Sequence, residues 1–353
     1  MASSNESYVL EIKTDSERYA WSGWCLFVIL TSFIGDTTIL LASIKYKAFQ
    51  LQEVLVTFIK HIAVTDLLVA ATYVIPTFVS LIANRWIFGE TMCHFQPYPV
   101  WSGTMASMLF ICGMVFSKLL FLKYPLKART WFSQYANKLC GGIWGISMYY
   151  PLCFLVLDQD DASFDRRVYF CNPNFSSKVW KFLLPINFSI FCLLPILTTI
   201  IATIMLLVEA KKIVSKGRNE RGGYLRWQGI MTSIMTSSVY IMSYLPITVY
   251  FTAAPFVSHT SPGWAVFHIQ FHRVAVSLTH TNIMANFFIY SLTVTSFRNF
   301  VRQRMQRFLI QIFCILSCEG NSFCTSVNVG NQKYSLVWLL KLWVDVCVKI
   351  NVQ

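Results

Sequence analysis

The sequence predicts an all-α integral membrane protein: a seven-transmembrane helix bundle followed by a short amphipathic eighth helix. Three observations carry that fold class. Of 353 residues, 55% are hydrophobic and only 13% charged, about half the charged share of a soluble domain. Seven apolar stretches are long enough to cross a ~30 Å hydrocarbon core at ~1.5 Å per helical residue. They fall at residues 21–44, 54–83, 100–121, 139–157, 182–208, 229–254 and 274–294. The basic residues collect in alternate connections, as they do in multi-pass proteins. Heavy use of Phe (29), Tyr (16) and Trp (11) suits aromatic rings anchored at membrane interfaces.

The spans divide the chain into an extracellular N-terminus (1–20), the bundle (21–295), and an amphipathic helix with a cytoplasmic tail (296–353). Lys45 and Lys47 follow span one, Lys118 stands in the last turn of span three, and Lys123, Lys127, Arg129 and Lys138 lie between spans three and four. Lys211, Lys212, Lys216, Arg218, Arg221 and Arg226 separate spans five and six, and Arg298, Arg302, Arg304 and Arg307 follow span seven. Glu6, Glu11, Asp15, Glu17, Glu90, Asp158, Asp160, Asp161 and Asp165 fall on the other side. Lys/Arg excess marks the cytoplasmic face, so the N-terminus is expected outside and the C-terminus inside the plasma membrane. Residues 1–20 lack the charged start, apolar core and cleavage site of a signal peptide, so span one is expected to act as the signal anchor. The net charge of +13 follows the membrane faces and predicts contact with lipid, not a nucleic-acid partner. Asn5-Glu-Ser and Asn174-Phe-Ser match the glycosylation signal on the outer side, whereas Asn187-Phe-Ser lies near the start of span five.

Asp66 stands in the middle of span two, VLVTFIKHIAVTDLLVAATYVIPTFVSLIA. An ionisable side chain at bilayer depth is costly and is a functional-site hypothesis by default. Pro195 and Pro246 interrupt the helical ladders of spans five and six, and such kinks are ready hinges. Cys25, Cys112, Cys140, Cys153 and Cys192 sit in spans and are expected to pack. Cys314, Cys318 and Cys324 follow the last span, where palmitoylation is chemically open to them.

Residues at fixed offsets then distinguish among seven-span proteins. Gly35-Asp36 is in span one, Ala63-Val64-Thr65-Asp66-Leu67-Leu68 in span two, and Trp86-Ile87-Phe88-Gly89 precedes Cys93. Trp144 is in span four, Pro195 in five and Pro246 in six. Span seven ends Asn286-Phe287-Phe288-Ile289-Tyr290, followed by Phe297-Arg298. This ordered set resembles the rhodopsin-like family of G-protein-coupled receptors from about residue 21 to residue 300. The resemblance implies a receptor for an extracellular ligand, with a heterotrimeric G protein and arrestin as partners, and no catalytic residues.

It also implies a disulfide between Cys93 and Cys171, which the oxidising outer compartment permits. Asp66, Ser107, Asn282 and Asn286 are implied as an allosteric Na⁺ site, with the oxygen ligands that hard cations prefer. Asp36 replaces the family's usual asparagine, placing a second acid near Asp66. Two buried acids cannot both ionise cheaply, so the pair is expected to hold a shared proton or a more tightly bound cation. Val100, Trp101, Thr104, Tyr244, Thr248, Phe251, Arg273, Thr279 and His280 are the expected ligand-pocket residues. Val100 stands where amine receptors carry aspartate, and His280 where opsins carry the retinal lysine. His268 and His272 lie near Arg273 at the expected mouth, where they would meet an acidic or peptide ligand. Pro97 and Pro99 are expected to delay the start of helix three.

The transducer side departs from the family. Counting from Cys93, and back from Pro125-Leu126, places Ser117-Lys118-Leu119 where Asp/Glu-Arg-Tyr is usual. Lysine keeps the charge but not the planar fork of arginine. Thr203 replaces the family's tyrosine in span five, Tyr244 its tryptophan in span six and Phe287 its proline in span seven, while Tyr290 is kept. Two alternatives to altered coupling stay open: a non-coupling or constitutively active receptor-like protein, and an ion or proton transporter using the buried acids. A transporter predicts inverted repeats, and no internal repeat is visible. The apolar segments Phe308–Leu316 and Tyr334–Val348 suit a membrane-surface helix more than an eighth span, because Lys341 and Asp345 interrupt the second.

Overall fold

The computed structural model describes residues 15–44, 53–157, 163–166, 168–172, 185–186, 188–215, 221–253 and 262–318. Asn5, Asn174, the tail beyond Cys318 and the side chain of His268 lie outside the described residues. The first span is α1 (Asp15–Ile44). The second is α2 (Glu53–Val69), a π-helical turn (Ala70–Val74) and α3 (Ile75–Ala83). A short helix α4 (Gly89–Phe95) precedes the third span, α5 (Pro97–Lys123), and α6 (Pro125–Leu157) is the fourth. Strands β1 (Ser163–Asp165) and β2 (Phe170–Asn172) form an antiparallel hairpin in which Phe164 pairs with Cys171. A second π-helical turn (Ser189–Leu193) leads into α7 (Leu194–Ser215), followed by α8 (Arg221–Ala253) and α9 (Pro262–Thr293). Helix α10 (Thr295–Cys318) belongs to a separate compact unit; at 24 residues it is longer than the short helix expected.

Among the described residues, five of the spans are long and apolar enough to cross a membrane by composition alone. The seventh, α9, is less apolar because it carries His272, Arg273, His280, Asn282 and Asn286. The helices form a closed circuit. Helix α1 packs on α2, α3 and α9; α2 on α5; α5 on α6, α7 and α8; and α8 on both α7 and α9. Helix α5 is the central member, which is why its small residues Ser102, Gly103, Ala106 and Ser107 are buried.

Prolines set the breaks. Pro76 has no N–H, so the carbonyl of Thr72, four residues earlier, loses its helical donor. The π-helical turn at Ala70–Val74 absorbs that loss. Gln96 completes it: its Nε2 donates to Thr72 O at 3.2 Å, and its Oε1 accepts from the Cys171 backbone N–H at 3.3 Å. Gln96 itself stands between α4 and α5. Pro97 then starts α5 at the first helical position, where a missing N–H costs nothing. The expected delay in helix three does not occur: Gln96 keeps helical backbone angles (φ −54°, ψ −43°) and its N–H donates to Met92 O, so the helical path that begins at Gly89 runs on into α5 through a glutamine with two structural duties.

The hairpin end of the bundle is tied down at three more points. The Cys93–Cys171 disulfide joins α4 to β2, with Cα atoms 5.3 Å apart. Asn84 ends α3 in the left-handed conformation (φ 54°), a C-terminal role asparagine tolerates. Its Oδ1 accepts from the hydroxyl of Tyr169 at 2.6 Å, and Tyr169 itself has φ 51°. Arg18 of α1 donates to the final carbonyls of α3 at Leu81 (3.0 Å) and Ile82 (3.4 Å). Replacing Gln96 by Leu leaves Thr72 O and Cys171 N–H without their side-chain partner. It is expected to lower stability by about 1–3 kcal/mol in thermal unfolding of the purified protein; an unchanged midpoint would contradict the role assigned to Gln96.

Candidate functional site

An apolar cavity of about 130 Å³ lies between the spans beneath the hairpin. Seven of the nine expected pocket residues line it: Val100, Trp101 and Thr104 from α5, Tyr244, Thr248 and Phe251 from α8, and Thr279 from α9. Arg273 and His280 do not. Each is one residue from a lining position (His272 and Thr279), and one residue is ~100° of helical rotation, enough to turn a side chain off that face. His272, expected at the mouth, lines the cavity, and so do Tyr73, Met105, Met108, Val168, Phe170 and Phe188, which were not anticipated. Tyr73 could have been suspected from Pro76, since the π-helical turn rotates it inward. Val168 and Phe170 arrive through the hairpin, whose placement depends on the disulfide.

Aromatic rings build the walls. Phe188 stacks on Phe251 at 4.7 Å and meets Trp101 edge-on at 5.9 Å. His272 stacks on Tyr250 at 4.5 Å with the rings 3° apart. Phe170 of β2 meets Tyr73 edge-on at 4.8 Å, closing the cavity toward spans one and two. Behind Tyr73, at 5.2 Å, is the fully buried ring of His280; neither of its nitrogens has a hydrogen-bond partner among the described residues.

Deeper in the bundle, Asp36, Asp66, Ser107, Asn282 and Asn286 are each 1% exposed. Asn286 Nδ2 donates to Asp66 Oδ2 at 2.6 Å, linking the second and seventh spans across 220 residues of sequence. Tyr290 Oη donates a long 3.5 Å bond to Asn286 Oδ1. Asp36 Oδ2 accepts from Ser32 Oγ at 2.7 Å, and Asp36 is buried as fully as Asp66. The Ser107 hydroxyl stands beside the Asp66 carboxyl without completing a hydrogen bond. Asn282 Nδ2 also has no partner among the described residues. The five residues singled out in the sequence therefore share one polar layer, with a carboxylate, a hydroxyl and amide groups turned toward one another. A small hard cation fits that donor set.

Below it, the departures from the usual motifs are accommodated individually. A Cβ on Gly35 would lie 2.7 Å from Phe287 Cβ, so the glycine of span one makes room for the phenylalanine that replaces proline. Lys118 is 3% exposed, and a Cβ on Gly229 would lie 2.5 Å from its Nζ, so the ammonium reaches from α5 to a glycine notch in α8. Thr203 Oγ1 donates to Ser237 Oγ at 2.8 Å, tying α7 to α8, and Thr232 bonds Thr293 at 2.9 Å, tying α8 to α9. Pro125 begins α6 directly after the break at Tyr124. His61, a lone histidine in span two, is satisfied structurally: its Nδ1 accepts from Trp144 Nε1 at 3.2 Å.

Replacing Asp36 by Asn preserves shape and removes one of two facing acids. The dependence of unfolding temperature on pH and on sodium concentration is expected to flatten; a dependence equal to that of the parent chain would sink the coupling of the two acids.

Comparison with known proteins places these residues in context. Residues 35–290 match the 7 transmembrane receptor (rhodopsin family). The chain is 27% identical to a purinoceptor of Gallus gallus over 206 residues, 54% of this chain and 54% of that protein. It is 29% identical to the neuropeptide Y receptor type 5 of Rattus norvegicus over 113 residues, 32% of this chain and 25% of that receptor. It is 28% identical to the RYamide receptor of Drosophila melanogaster over 122 residues, 34% of this chain and 26% of that receptor. The alignments thus span about half of the first relative's length and a quarter of the others'. With more than half its residues matched by the family and its helices closed into one circuit, the chain belongs to the rhodopsin family of seven-transmembrane receptors.

Proposed function

We propose that this multi-pass membrane receptor binds an extracellular ligand through an uncharged, apolar or aromatic group seated in the cavity beneath the hairpin, and signals to a G protein through altered inner contacts. The observation that carries the ligand class is the cavity lining, which among the described residues contains no carboxylate, ammonium or guanidinium. An amine ligand has no anionic partner, with Val100 at the relevant position. A nucleotide has no lysine or arginine in the lining to meet its phosphates. The relatives are named for purines, neuropeptide Y and RYamide, and the lining favours the peptide class. Size supports the same choice. At about 130 Å³ the cavity is smaller than the ~300–1,000 Å³ that encloses a whole small-molecule ligand. It suits one anchoring side chain of a larger molecule, with Thr104, Thr248 and Thr279 supplying hydrogen bonds and the remainder lying over the hairpin.

The proposed orientation puts the N-terminus outside and the C-terminus in the cytoplasm, supported by the basic connections on one side. The polar layer is proposed to hold Na⁺ at Asp66, Ser107, Asn282 and Asn286. The ion would supply positive charge that lets the Asp36–Asp66 pair ionise. Ser107 and Asn282 would complete their coordination or hydrogen bonding at the same time. Lys118 in its glycine notch stands in for the usual arginine switch, so coupling to G protein and arrestin is proposed to proceed through Lys118, Thr203 and Tyr290 with altered selectivity. The removal of the acid beside Lys118 predicts raised basal signalling.

A screen of peptide, lipid, amine and nucleotide panels with a coupling-independent readout, such as whole-cell impedance, tests this directly. Peptides with an apolar or aromatic terminus are expected to activate, and Phe251→Ala is expected to reduce potency at least tenfold by removing a buried aromatic wall. Activation by a nucleotide that Phe251→Ala leaves untouched would contradict the proposal.

A further inference from the structure

A second concavity is larger than the cavity beneath the hairpin. A groove of about 630 Å³ runs between α5 and α6 on the membrane-facing side of the bundle, walled by Leu109, Leu120 and Ile143. It ends at Tyr124, Lys127 and Trp131, the break between the two helices. From Leu109 to Leu120 it follows α5 for about 16 Å at ~1.5 Å per residue. That is half of a ~30 Å hydrocarbon core, the reach of one acyl chain in one leaflet. Its polar end is one-sided in charge. Between Thr91 and Leu157 the sequence has no Asp or Glu, while Lys123, Lys127, Arg129 and Lys138 surround the break. Lys127 lines the groove and is exposed, and Trp131, packed edge-on against Phe132 at 4.8 Å, offers an indole at the expected interface depth.

We infer that this groove binds one anionic phospholipid, its acyl chain along α5 and its headgroup phosphate at Lys127. An uncharged sterol would fill the apolar walls but leave the basic end unmatched, whereas a phosphate matches the Lys127 ammonium. The basic end is the side assigned above to the cytoplasm, where anionic lipids concentrate; the inference rests on that orientation only for which leaflet supplies the lipid. Because α5 is the central helix and also carries Lys118, a lipid seated here braces the α5–α6 junction beside the proposed transducer contacts.

Native mass spectrometry of the full purified chain tests the inference without a ligand or a signalling partner. Phosphatidylserine and phosphatidylcholine of identical acyl chains are titrated separately. Phosphatidylserine is expected to bind more tightly, and Lys127→Ala to weaken it about fivefold, the effect of one basic residue at a membrane surface, with phosphatidylcholine unchanged. Lys212→Ala, a basic residue outside the groove that pairs with Glu209 at 2.6 Å, is expected to leave both unchanged. Leu120→Trp is expected to abolish the bound lipid by filling the groove. On the unaltered chain, photoactivatable phosphatidylserine should label peptides between Leu109 and Ile143. Equal binding of the two lipids, equal effects of Lys127→Ala and Lys212→Ala, labelling confined elsewhere, or displacement by cholesterol with no effect of Lys127→Ala would each overturn it.

Discussion

The hydrogen bond from Asn286 to Asp66 is the constraint around which the bundle is organised. A carboxyl group at bilayer depth has no water to turn to, so its partners must come from other helices. Here the partner comes from the seventh span at 2.6 Å. Fixing that pair fixes the rotation of α9 relative to α2, and much else follows from the rotation. Thr279 faces the outer cavity, His280 turns behind Tyr73, and Phe287 meets Gly35. Asp36 adds a second buried acid to the same region of the bundle.

The hairpin end of the bundle obeys the same rule of satisfied backbone groups. Pro76 frees the carbonyl of Thr72, and the freed acceptor recruits Gln96, which in turn holds the hairpin through Cys171. The disulfide and the Asn84–Tyr169 bond complete the attachment. A missing N–H in span two is thereby coupled to the position of Phe170 over the cavity. The cavity is shaped by backbone accounting as much as by its own side chains.

Much of this was legible in the sequence. Apolar runs and basic connections located all seven spans, and fixed offsets brought Asp36, Asp66, Ser107, Asn282 and Asn286 to one layer. Helix lengths were less legible, because α8 and α9 begin outside their apolar stretches, at Arg221 and Pro262. Offsets name a position along a helix but not which way it turns, and Arg273 and His280 missed the cavity lining by one residue each. Gln96, Tyr73 and Phe170 escaped notice because their roles arise from a π-helical turn and a loop, neither of which has a periodic signature. Gly229 carried no signal at all until the path of Lys118 was known.

The inner end shows how a receptor scaffold tolerates lost motifs. Each departure has a local complement: Gly35 for Phe287, Gly229 for Lys118, Ser237 for Thr203. What these complements do not replace is the link between the second and seventh spans, which is retained. A double-mutant cycle on Asp66→Ala and Asn286→Ala, followed by reversible unfolding of the purified chain, measures that link most directly. A coupling energy of about 1 kcal/mol, toward the upper end for interhelical hydrogen bonds in membranes, is predicted. Strictly additive losses would contradict the central place given to this bond.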